Sequence, residues 1–591
     1  MRREGGARPR ATGVRPQRDR PRTVGVSGAC GLSGVLVTHA MFTARPFMSS
    51  WPSTSSACSG QPRARSPAKA WLAQSFAVVA CVATIAACAT STSDPPSIVP
   101  SDGGTEGADA STCGSSETAC RGGCVDTRTA TTDCGVCGSA CAMGEQCCGG
   151  SCSSDPACRL KLTSLSSSSA PLNGGTYVTL RGSGFVAGLR AYVGDGRAPV
   201  RVVDSRTAIV LIPPAPAGSY GVSVAAGGQT ASMPHSFRYA QVGSKAAWVE
   251  ITMSSPRGNI PALTVLQDGR VLIAGGTSGG GPDTSLDTAD VYDPVAQSTT
   301  PAAGRMSARR FATEAITLLD GRALVIGVCN TPNGCADWGA AATAELFDPT
   351  TNTFTPSRAQ LQDRSRIYAR PILLPDGRVL IQSQGETQFY DPSTDTFTLA
   401  PFALGGGLVR LRDGKIFDGA KIYDSDVDTV TATGGVFAHG VEHLSTLPDG
   451  RVLSAGGATD VGGLITPHAS VDLFDPKTMS FATMAYTLGT PRLHTAATLV
   501  GDGAVLIIGG NTDTYPDTAA CQSYMFQKTN AVQSVREDSG NILSMPPLPD
   551  PNMDLIAVTL LDGSVLAAGG SRCGGASAYP YVYFLQSEPL K

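Results

Sequence analysis

Three histidines in the C-terminal half of the chain are of a type that could bind a metal. His439 and His443 are close in sequence, and His494 follows further along the chain. Imidazoles are common metal ligands, so these residues are the most economical candidates for a metal-dependent enzyme. The pair lies on a predicted strand rather than on a helix, and no set of carboxylates accompanies it. We therefore predict no metal, no cofactor and no catalytic residue here.

Three arginines share one position relative to a repeated pattern. Arg310, Arg366 and Arg492 each lie ten residues before an aspartate that is followed by glycine. A repeated cation can pair with an acid inside the protein or contact a ligand at the surface. Both interpretations stay open, and we count the three arginines among the candidates for a ligand face.

The aspartate-glycine pairs belong to a phrase that occurs seven times. One copy is LPDGRVLSAGG at residues 447–457, and the others begin at residues 266, 318, 374, 411, 500 and 560. The seven aspartates are 49 residues apart on average, and they are Asp268, Asp320, Asp376, Asp413, Asp449, Asp502 and Asp562. A period of about 50 residues is typical of propeller blades and not of helical solenoids.

Each copy predicts the same local structure. Asp-Gly between two apolar runs predicts a two-residue hairpin turn, and the next run predicts a blade strand that ends at a glycine pair. Five units continue to a third strand whose aromatic residue we expect between blades: Tyr292, Phe347, Tyr390, Tyr423 and Phe474. In the sixth and seventh units we assign the third strand to SYMFQ from Ser523 and to YVYFLQ from Tyr581.

Residues 245–591 resemble kelch repeats, including the propeller of galactose oxidase-like proteins. The segment AAWVEITM, Ala246 to Met253, precedes the first unit, and we expect it to close the ring as the last strand of the last blade. The copper chemistry of galactose oxidase-like proteins implies two tyrosines, two histidines with one adjacent Tyr-His pair, and a cross-linked cysteine. The chain has six histidines and no Tyr-His pair, so the resemblance carries the scaffold without the copper ligands.

The loops after the second strand of each unit vary greatly, whereas the Asp-Gly turns are uniformly short. Variable loops on a rigid scaffold are the usual place for binding, so we predict a ligand face where these loops emerge. The candidate residues on this face are Arg310, Trp338, Arg366, His439, His443, Arg492, His494 and Tyr515.

The charge of the chain is uneven along its length. Residues 1–70 hold twelve of the 45 basic and two of the 48 acidic residues, so the remaining 33 basic and 46 acidic residues give a net charge of -13. An acidic body argues against a protein that tracks nucleic-acid phosphates, and no nucleic-acid partner is expected.

An apolar stretch, WLAQSFAVVACVATIAAC at residues 71–88, follows basic residues and is typical of an export signal. Its last four residues, IAAC, resemble the lipobox of bacterial lipoproteins, which implies lipidation at Cys88. An uncleaved anchor and an ordinary cleaved signal are the alternatives. We interpret residues 1–47 as lying upstream of the true start, residues 48–88 as the signal peptide and residues 89–112 as a flexible linker.

Residues 113–158 contain ten cysteines, which in an exported chain predict about five disulfides. Zinc is the alternative, because Cys134, Cys137 and Cys141 have ligand-like spacing, but the segment has no histidine. The pattern CRGGCVDTRTATTDCGVCGSACAMGEQCCGGSC resembles the cysteine-rich repeat of Stig1-like proteins. The disulfide candidates are Cys113, Cys120, Cys124, Cys134, Cys137, Cys141, Cys147, Cys148, Cys152 and Cys158, and in the propeller Cys329 with Cys335 and Cys521 with Cys573.

Residues 160–240 alternate short apolar runs with glycine and proline turns, which predicts a small β-sandwich. The phrases PLNGGTYVTLRGSGF and DSRTAIVLIPPAPAGSYGVSV resemble an IPT/TIG domain, which implies an immunoglobulin-like spacer or a protein or glycan contact. The expected fold class is all-β: a seven-bladed kelch-type β-propeller preceded by an immunoglobulin-like (IPT/TIG) β-sandwich and a small disulfide-rich module.

These features favour a monomeric, exported bacterial lipoprotein in the periplasm or at the cell surface, with a lipid anchor as its only membrane contact. The leading hypothesis is non-catalytic binding of a protein or glycan by the propeller. The alternative is a secreted propeller enzyme, either metal-dependent or active on carbohydrates.

Overall fold

The chain folds from β-strands throughout the part that the structure describes. This computed structural model describes residues 118–587, with gaps at 121–122, 128–129, 149, 155–157, 242–243, 259, 279–283, 331–342, 362–369, 384–385, 406, 517–525, 537–539 and 571–581. Within these ranges there is no α-helix, and thus no helix that could span a membrane. The predicted signal and linker, with Cys88 and Cys113, lie outside the described residues.

Disulfides hold the cysteine-rich module together. Its strands form two small hairpins: β1 (Thr118–Cys120), β2 (Gly123–Val125), β3 (Gln146–Cys148) and β4 (Ser151–Ser153). The described bridges are Cys120–Cys137, Cys134–Cys147 and Cys141–Cys152, and Cys124 and Cys158 are disulfide-bonded as well. The predicted disulfide module is confirmed. The sulfurs of Cys134, Cys141 and Cys152 lie within 4.8 Å of one another, but disulfides already take them up.

The sandwich consists of a four-stranded and a five-stranded sheet. Its strands are β5 (Lys161–Leu165), β6 (Ser169–Pro171), β7 (Tyr177–Ser183), β8 (Arg190–Val193), β9 (Gly196–Ala198), β10 (Val200–Asp204), β11 (Thr207–Leu211), β12 (Gly218–Ala226) and β13 (Gln229–Ala240). The strand orders are β10-β11-β7-β5 and β6-β13-β12-β8-β9. Apolar side chains from both sheets, among them Leu180 and Val224 at 0% exposure, form one core between them. The predicted immunoglobulin-like sandwich is confirmed.

Seven four-stranded antiparallel sheets follow the sandwich as the blades of a propeller. One strand, β14 (Ser244–Ile251), precedes blade 1. The strands of blades 1 to 4 are β15 (Ala262–Val265), β16 (Val271–Ala274), β17 (Ala289–Asp293), β18 (Ser298–Pro301), β19 (Arg309–Thr317), β20 (Ala323–Asn330), β21 (Thr343–Asp348), β22 (Thr353–Gln360), β23 (Arg370–Leu373), β24 (Val379–Ser383), β25 (Glu386–Asp391), β26 (Thr396–Leu399), β27 (Val409–Arg410), β28 (Ile416–Phe417), β29 (Lys421–Asp424) and β30 (Thr429–Ala432). Each of these four blades takes four consecutive strands, beginning with β15.

Blades 5 to 7 complete the propeller, with additional strands in the loops of blades 5 and 6. Their strands are β31 (Ser445–Thr446), β32 (Val452–Ala455), β33 (Ala458–Val461), β34 (Leu464–Pro467), β35 (Val471–Asp475), β36 (Ser480–Thr483), β37 (Ala496–Leu499), β38 (Val505–Ile508), β39 (Tyr515–Pro516), β40 (Val532–Arg536), β41 (Asn541–Met545), β42 (Leu555–Thr559), β43 (Val565–Gly569) and β44 (Val582–Ser587). The innermost strand of blade 1, β15, contacts β19 of blade 2 and β42 of blade 7, so the ring is closed.

The strand before blade 1 completes the last blade. β14 pairs antiparallel with β44 and is the outermost strand of the sheet β14-β44-β43-β42. The first propeller strand in sequence and the last one therefore hydrogen-bond to each other. The predicted closure by this segment is confirmed.

Each Asp-Gly turn is a three-residue loop and not the predicted two-residue turn. In blade 1 the Leu266 amide donates to the Arg270 carbonyl at 2.7 Å, and the Gly269 amide donates to the Leu266 carbonyl at 3.0 Å. Gly269 has a φ of 88°, whereas Asp268 is not among the residues with positive φ. The Asp268 carboxylate instead accepts the amide and the Nε of Arg270, at 3.0 and 2.8 Å. The acid and the base of this motif are partners within one turn.

The third-strand aromatics lie between blades, as predicted. All five have 0% exposure. Tyr292 of blade 1 packs against Leu560 and Leu566 of blade 7, and the ring of Phe474 in blade 5 stacks on Phe417 of blade 4 at 4.3 Å. Each aromatic thus contributes apolar area to the interface with the preceding blade.

The third strand of blade 6 differs from the prediction. It is β40 and not SYMFQ, and β40 pairs with β38 so that Val535 lies opposite Val505. Val535 has the place that Tyr292 has opposite Val271 in blade 1. The prediction was wrong because the third strand of blade 6 has Val535 where five other blades have an aromatic residue, and the aromatic residue was the feature used to find the strand.

The sandwich docks on the end of the propeller that carries the Asp-Gly turns, here called the Asp-Gly face. Arg197 of the sandwich donates two hydrogen bonds of 2.6 Å to Asp426 of blade 4. Arg412 Nε, in the Asp-Gly turn of blade 4, donates to Asp195 Oδ1 at 2.6 Å. Backbone bonds link Val200 to Pro375 and Leu172 to Gly501. The loops after the second strands emerge at the opposite end, here called the long-loop face.

Candidate functional site

Arg310 and Arg492 lie inside their blades and not at the ligand face. Their exposures are 0% and 1%. Arg310 Nη2 donates to Glu345 Oε1 at 3.0 Å, and both side chains of this ion pair are fully buried. Arg492 Nη2 donates to Gln533 Oε1 at 2.7 Å. The ligand-face prediction is wrong for both residues, because buried guanidinium groups that bind the third strand present no surface to a partner.

A third arginine, missed by the sequence analysis, has the same role in blade 1. Arg257 is 0% exposed, and its Nη2 donates to Asp290 Oδ2 at 2.8 Å while its Nη1 donates to the Gly275 carbonyl at 3.0 Å. The corresponding carbonyls in blades 2 and 6 are those of Gly327 and Gly509. Arg257 escaped notice because it lies eleven residues before its turn aspartate instead of ten.

His494 lies at the long-loop face between blades 6 and 7. Its Nδ1 is 3.1 Å from Asp554 Oδ1 and its Nε2 is 3.0 Å from Tyr515 Oη, and 36% of the side chain is exposed. Burial lowers the pKa of this imidazole, but the Asp554 carboxylate, helped by Glu442, raises the pKa of His494 to about 9. His494 is therefore an imidazolium at neutral pH, ion-paired to Asp554.

His443 lies next to this pair and stays neutral. Its Nε2 is 2.7 Å from the carbonyl oxygen of Thr495, so Nε2 carries the proton. Burial lowers the pKa of His443, and Glu442 opposes that shift. The Glu442 carboxylate accepts the amide and the hydroxyl of Thr495, each at 3.2 Å, and Arg370 Nη1 donates to the Glu442 carbonyl at 3.0 Å. We call Arg370, Glu442, His443, His494 and Asp554 the polar cluster.

Glu314 extends the polar cluster towards blade 2. Burial raises the pKa of the Glu314 carboxyl to about 7, and the charge of Arg370 opposes this rise. Glu314, Arg370 and His443 each lie six residues before the aspartate of their turn. That spacing could have identified Glu314 and Arg370 in the sequence, since it places one residue of each inner strand at the same level of the channel.

His439 takes a different partner from His443. The ring of His439 stacks on that of His468 with a centroid distance of 3.8 Å, and His468 Nε2 is 2.9 Å from Thr459 Oγ1. His439 precedes the bridging residue Gly440 as Arg492 precedes Leu493. Histidine thus stands in blade 5 where three other blades have the buried arginine, and the ring partner of His439 is His468.

Two of the predicted variable loops form one ordered layer. After the second strand of blade 5, β33 and β34 form a hairpin, and β34 pairs with β39 in the loop of blade 6. The hairpin tip presents Val461 and Leu464 at 76% and 45% exposure. Tyr515 on β39 is 6% exposed and packs edge-on against Phe526. Tyr515 therefore supports the layer and orients His494.

Several predicted residues lie outside the described residues. These are Trp338, Arg366, Cys335, Cys521 and Cys573. Cys329 belongs to β20, but its side chain is not described. The two disulfides expected in the propeller therefore stay predictions.

The donor atoms of the described propeller residues do not fit a copper centre. Asp554 and Tyr515 occupy both nitrogens of His494, and Thr495 occupies Nε2 of His443. Across the described ranges of the propeller, no three donor atoms from His, Cys, Asp or Glu lie within 4.8 Å of one another. We derive no metal-dependent step from this arrangement.

The His494–Asp554 pair predicts a pH-dependent contribution to stability. A folded pKa of about 9, above the ordinary 6.5, means that the contribution is complete below about pH 6.5 and is lost as the pH rises through about 9. The melting temperature of wild type should exceed that of His494→Gln at about pH 6, and this difference should shrink by about pH 10. Substitution of the exposed His235 by Gln serves as control. A difference that is constant with pH would contradict the ion pair.

Comparisons with known proteins match parts of the chain. Residues 160–239 match the family model described as IPT/TIG domain, and residues 100–157 match the model described as stigma-specific STIG1-like protein family. No curated protein matches the chain. Among solved structures, the one titled "Structure of YjhT" is 12% identical, with 56% of this chain and 95% of that chain covered and a TM-score of 0.35.

Two further solved structures are similar to this chain at low identity. A structural genomics protein of unknown function from Bacteroides thetaiotaomicron is 12% identical, with 73% of this chain and 99% of that chain covered and a TM-score of 0.30. A novel fungal alcohol oxidase of the AA5 family, in complex with copper, is 15% identical, with 73% and 76% covered and a TM-score of 0.30.

Proposed function

We propose that this chain is an exported, lipid-anchored cell-envelope protein whose kelch-type propeller is a non-catalytic binding head for a protein or glycan. One observation carries the proposal. The sandwich occupies the Asp-Gly face through Arg197, Arg412 and their partners. A partner of the propeller would therefore approach the long-loop face, where the loops differ from blade to blade.

The long-loop face has the mixed character of a recognition surface. The polar cluster offers a cation at His494 and acids at Asp554 and Glu442, and the hairpin tip offers exposed apolar contacts at Val461 and Leu464. Interfaces combine a few anchoring side chains with a polar surround, and rigid strands hold both parts here. The nearby β33-β34-β39 layer preorganises the tip, which lowers the entropic cost of binding.

The engaged histidines support binding over catalysis. A general base needs an unprotonated nitrogen within reach of a substrate proton, and a catalytic metal needs several free donors. His494 is charged and bound at both nitrogens, and His443 is held by a backbone carbonyl. The copper-radical ligands of galactose oxidase-like proteins are also missing from the sequence pattern.

The binding proposal is tested with the full exported chain on a glycan array and against envelope proteins from the same cells. The double variant Val461→Ser/Leu464→Ser should weaken binding about tenfold or more, because exposed apolar anchors at a tip carry much of the energy. A matched control is Val295→Ser/Val427→Ser, which changes two valines of 94% and 54% exposure in the turns between third and fourth strands. These turns belong to the Asp-Gly end, so the control should bind as wild type.

Equal binding by both double variants would remove the long-loop face from the proposal. The absence of any protein or glycan ligand would favour a structural role, and stoichiometric copper or zinc that is lost in a His443→Ala/His494→Ala variant would favour the enzyme. The anchor is tested in the same cells with Cys88→Ser, which should move the protein from the membrane to the soluble fraction. Membrane retention of that variant would contradict lipidation at Cys88.

A further inference from the structure

A cavity lies where the sandwich meets the central channel of the propeller. Its volume is about 410 Å³, within the range of pockets that hold small molecules. The sandwich contributes Asn173 and Tyr177 to its wall, and inner strands of the propeller contribute Thr317, Arg410 and Thr559. This cavity is at the opposite end of the channel from the long-loop face.

Arg410 is a cation in this wall without an acidic partner among the described residues. Its Nη1 donates to the Leu373 carbonyl at 2.9 Å, and no described carboxylate forms a salt bridge with it. Burial lowers the pKa of Arg410 to about 10, so the guanidinium still carries its charge at neutral pH. Burial also raises the pKa of Tyr177, so this neighbour supplies no negative charge. A partly buried cation with no counter-charge among the described residues is less well solvated than in water, and a bound anion would offset that loss.

Arg410 is also unusual for its position in the repeat. It lies three residues before the turn aspartate Asp413, and the residues at this position in the other blades are uncharged: Val265, Thr317, Leu373, Thr446, Leu499 and Thr559. Blade closure therefore does not need a cation at this level of the channel. The arginine serves the cavity and not the blade.

Asn173 supplies a second polar group in the cavity wall. Its Oδ1 is buried and has no hydrogen-bond partner among the described residues, although buried acceptors are normally satisfied. Tyr177 Oη, by contrast, is engaged as a donor to the Thr317 carbonyl at 3.1 Å. The cavity wall therefore contains one cation, Arg410, and one residue with an unmatched acceptor, Asn173.

We propose that this cavity binds a small oxyanion, with Arg410 as its counter-ion. A carboxylate, a sulfate or a phosphate each offers oxygens that suit the planar guanidinium. A carboxylate that also carries a hydroxyl group satisfies Asn173 Oδ1 by donating to it. The bound anion contacts both the sandwich and the propeller, so it strengthens their docking. The site is independent of the long-loop face and of any ligand bound there.

Thermal unfolding of the full chain in four sodium salts tests the proposal, with sulfate, phosphate, acetate and lactate each compared with chloride at equal ionic strength. The variant is Arg410→Met, and Arg305→Met is the matched control because Arg305 is 71% exposed. Sulfate and phosphate also stabilise proteins by exclusion from their surface. The measured quantity is therefore the rise in melting temperature of wild type minus that of the variant in the same salt.

At an anion concentration of about ten times its dissociation constant, the melting temperature of wild type should rise by about 3 °C more than that of Arg410→Met. Arg305→Met should respond as wild type. The salt that produces this excess identifies the source: sulfate or phosphate for an inorganic ion, acetate or lactate for an organic acid. Lactate should exceed acetate if Asn173 accepts a hydroxyl. In chloride alone, Arg410→Met should melt no lower than wild type.

An equal response of wild type and Arg410→Met in all four salts would overturn the proposal. If Arg410→Met does not fold, Arg410→Lys replaces it, and crystals of wild type soaked in selenate provide a second readout. An anomalous peak beside the Arg410 guanidinium is expected when sulfate or phosphate produces the excess, and a map without it would then overturn the inorganic-ion assignment.

Discussion

Replacement of Arg310 by methionine is expected to lower the free energy of unfolding by about 3 to 5 kcal/mol. Both members of the Arg310–Glu345 pair have 0% exposure, and the variant leaves the Glu345 carboxylate buried without its cation. Ser307 continues to donate its amide and hydroxyl to Glu345, but two neutral donors do not replace a guanidinium. Urea denaturation of the purified protein measures the loss.

Blade 6 has a buried arginine with a neutral partner, which can be compared with the Arg310–Glu345 pair of blade 2. In blade 6 the partner of Arg492 is the neutral Gln533, and burial lowers the pKa of Arg492 to about 10. Blades of this propeller thus tolerate an arginine that faces an amide. Glu345→Gln, which converts the blade 2 pair to that arrangement, should therefore cost only about 1 to 3 kcal/mol.

The control for both variants is an exposed ion pair in the same region. Arg305 Nη1 is 2.8 Å from Asp287 Oδ1, with Arg305 71% exposed. Exposed pairs are worth little, so Arg305→Met should cost less than about 1 kcal/mol. An Arg310→Met variant as stable as Arg305→Met would show that the buried pair does not hold the first and third strands of the blade together.

The same arginines show how far sequence reasoning reached. The seven returns of the turn aspartate, 49 residues apart on average, predict seven blades because each blade repeats one hairpin, and the third-strand aromatics identify five blade interfaces. The direction of a side chain at the start of a strand is not encoded by spacing from a turn. Arg310 and Arg492 therefore had two open interpretations, and only their contacts to Glu345 and Gln533 assign them to the interior.

The docking of the sandwich on the propeller could not be predicted from the sequence for a different reason. Arg197, Asp426, Arg412 and Asp195 belong to modules more than a hundred residues apart, or to turns that look solvent-exposed in isolation. Nothing in a local pattern tells which of many surface charges meet across an interface. The polar cluster is an intermediate case, because three of the seven units have a titratable residue six positions before the turn aspartate: Glu314, Arg370 and His443.

Replacement of Trp248 by alanine is expected to cost about 2 to 4 kcal/mol of unfolding free energy, close to the loss seen when large aromatic side chains are truncated in cores. Trp248 is on β14, the strand that joins the two ends of the propeller. Its Nε1 donates to the Pro546 carbonyl at 2.8 Å, and its ring packs on the apolar cluster between blades 6 and 7 that includes Leu548 and Val565. The variant loses a hydrogen bond and apolar contacts at the closure of the ring.

Val249 is the matched control, because it is the next residue of the same strand and is 49% exposed. Successive side chains of a strand point to opposite faces, so Val249→Ala should change the free energy of unfolding by less than about 0.5 kcal/mol. Removal of the whole segment 246–253 should have a larger effect than Trp248→Ala, because β44 then has an unpaired edge and blade 7 has three strands. An unchanged melting temperature after that deletion would contradict closure by β14. Every blade packs only on its two neighbours, so a ring opened between blades 1 and 7 exposes the flanks of both. The stability of all seven blades therefore depends on β14, a strand that precedes the first repeat.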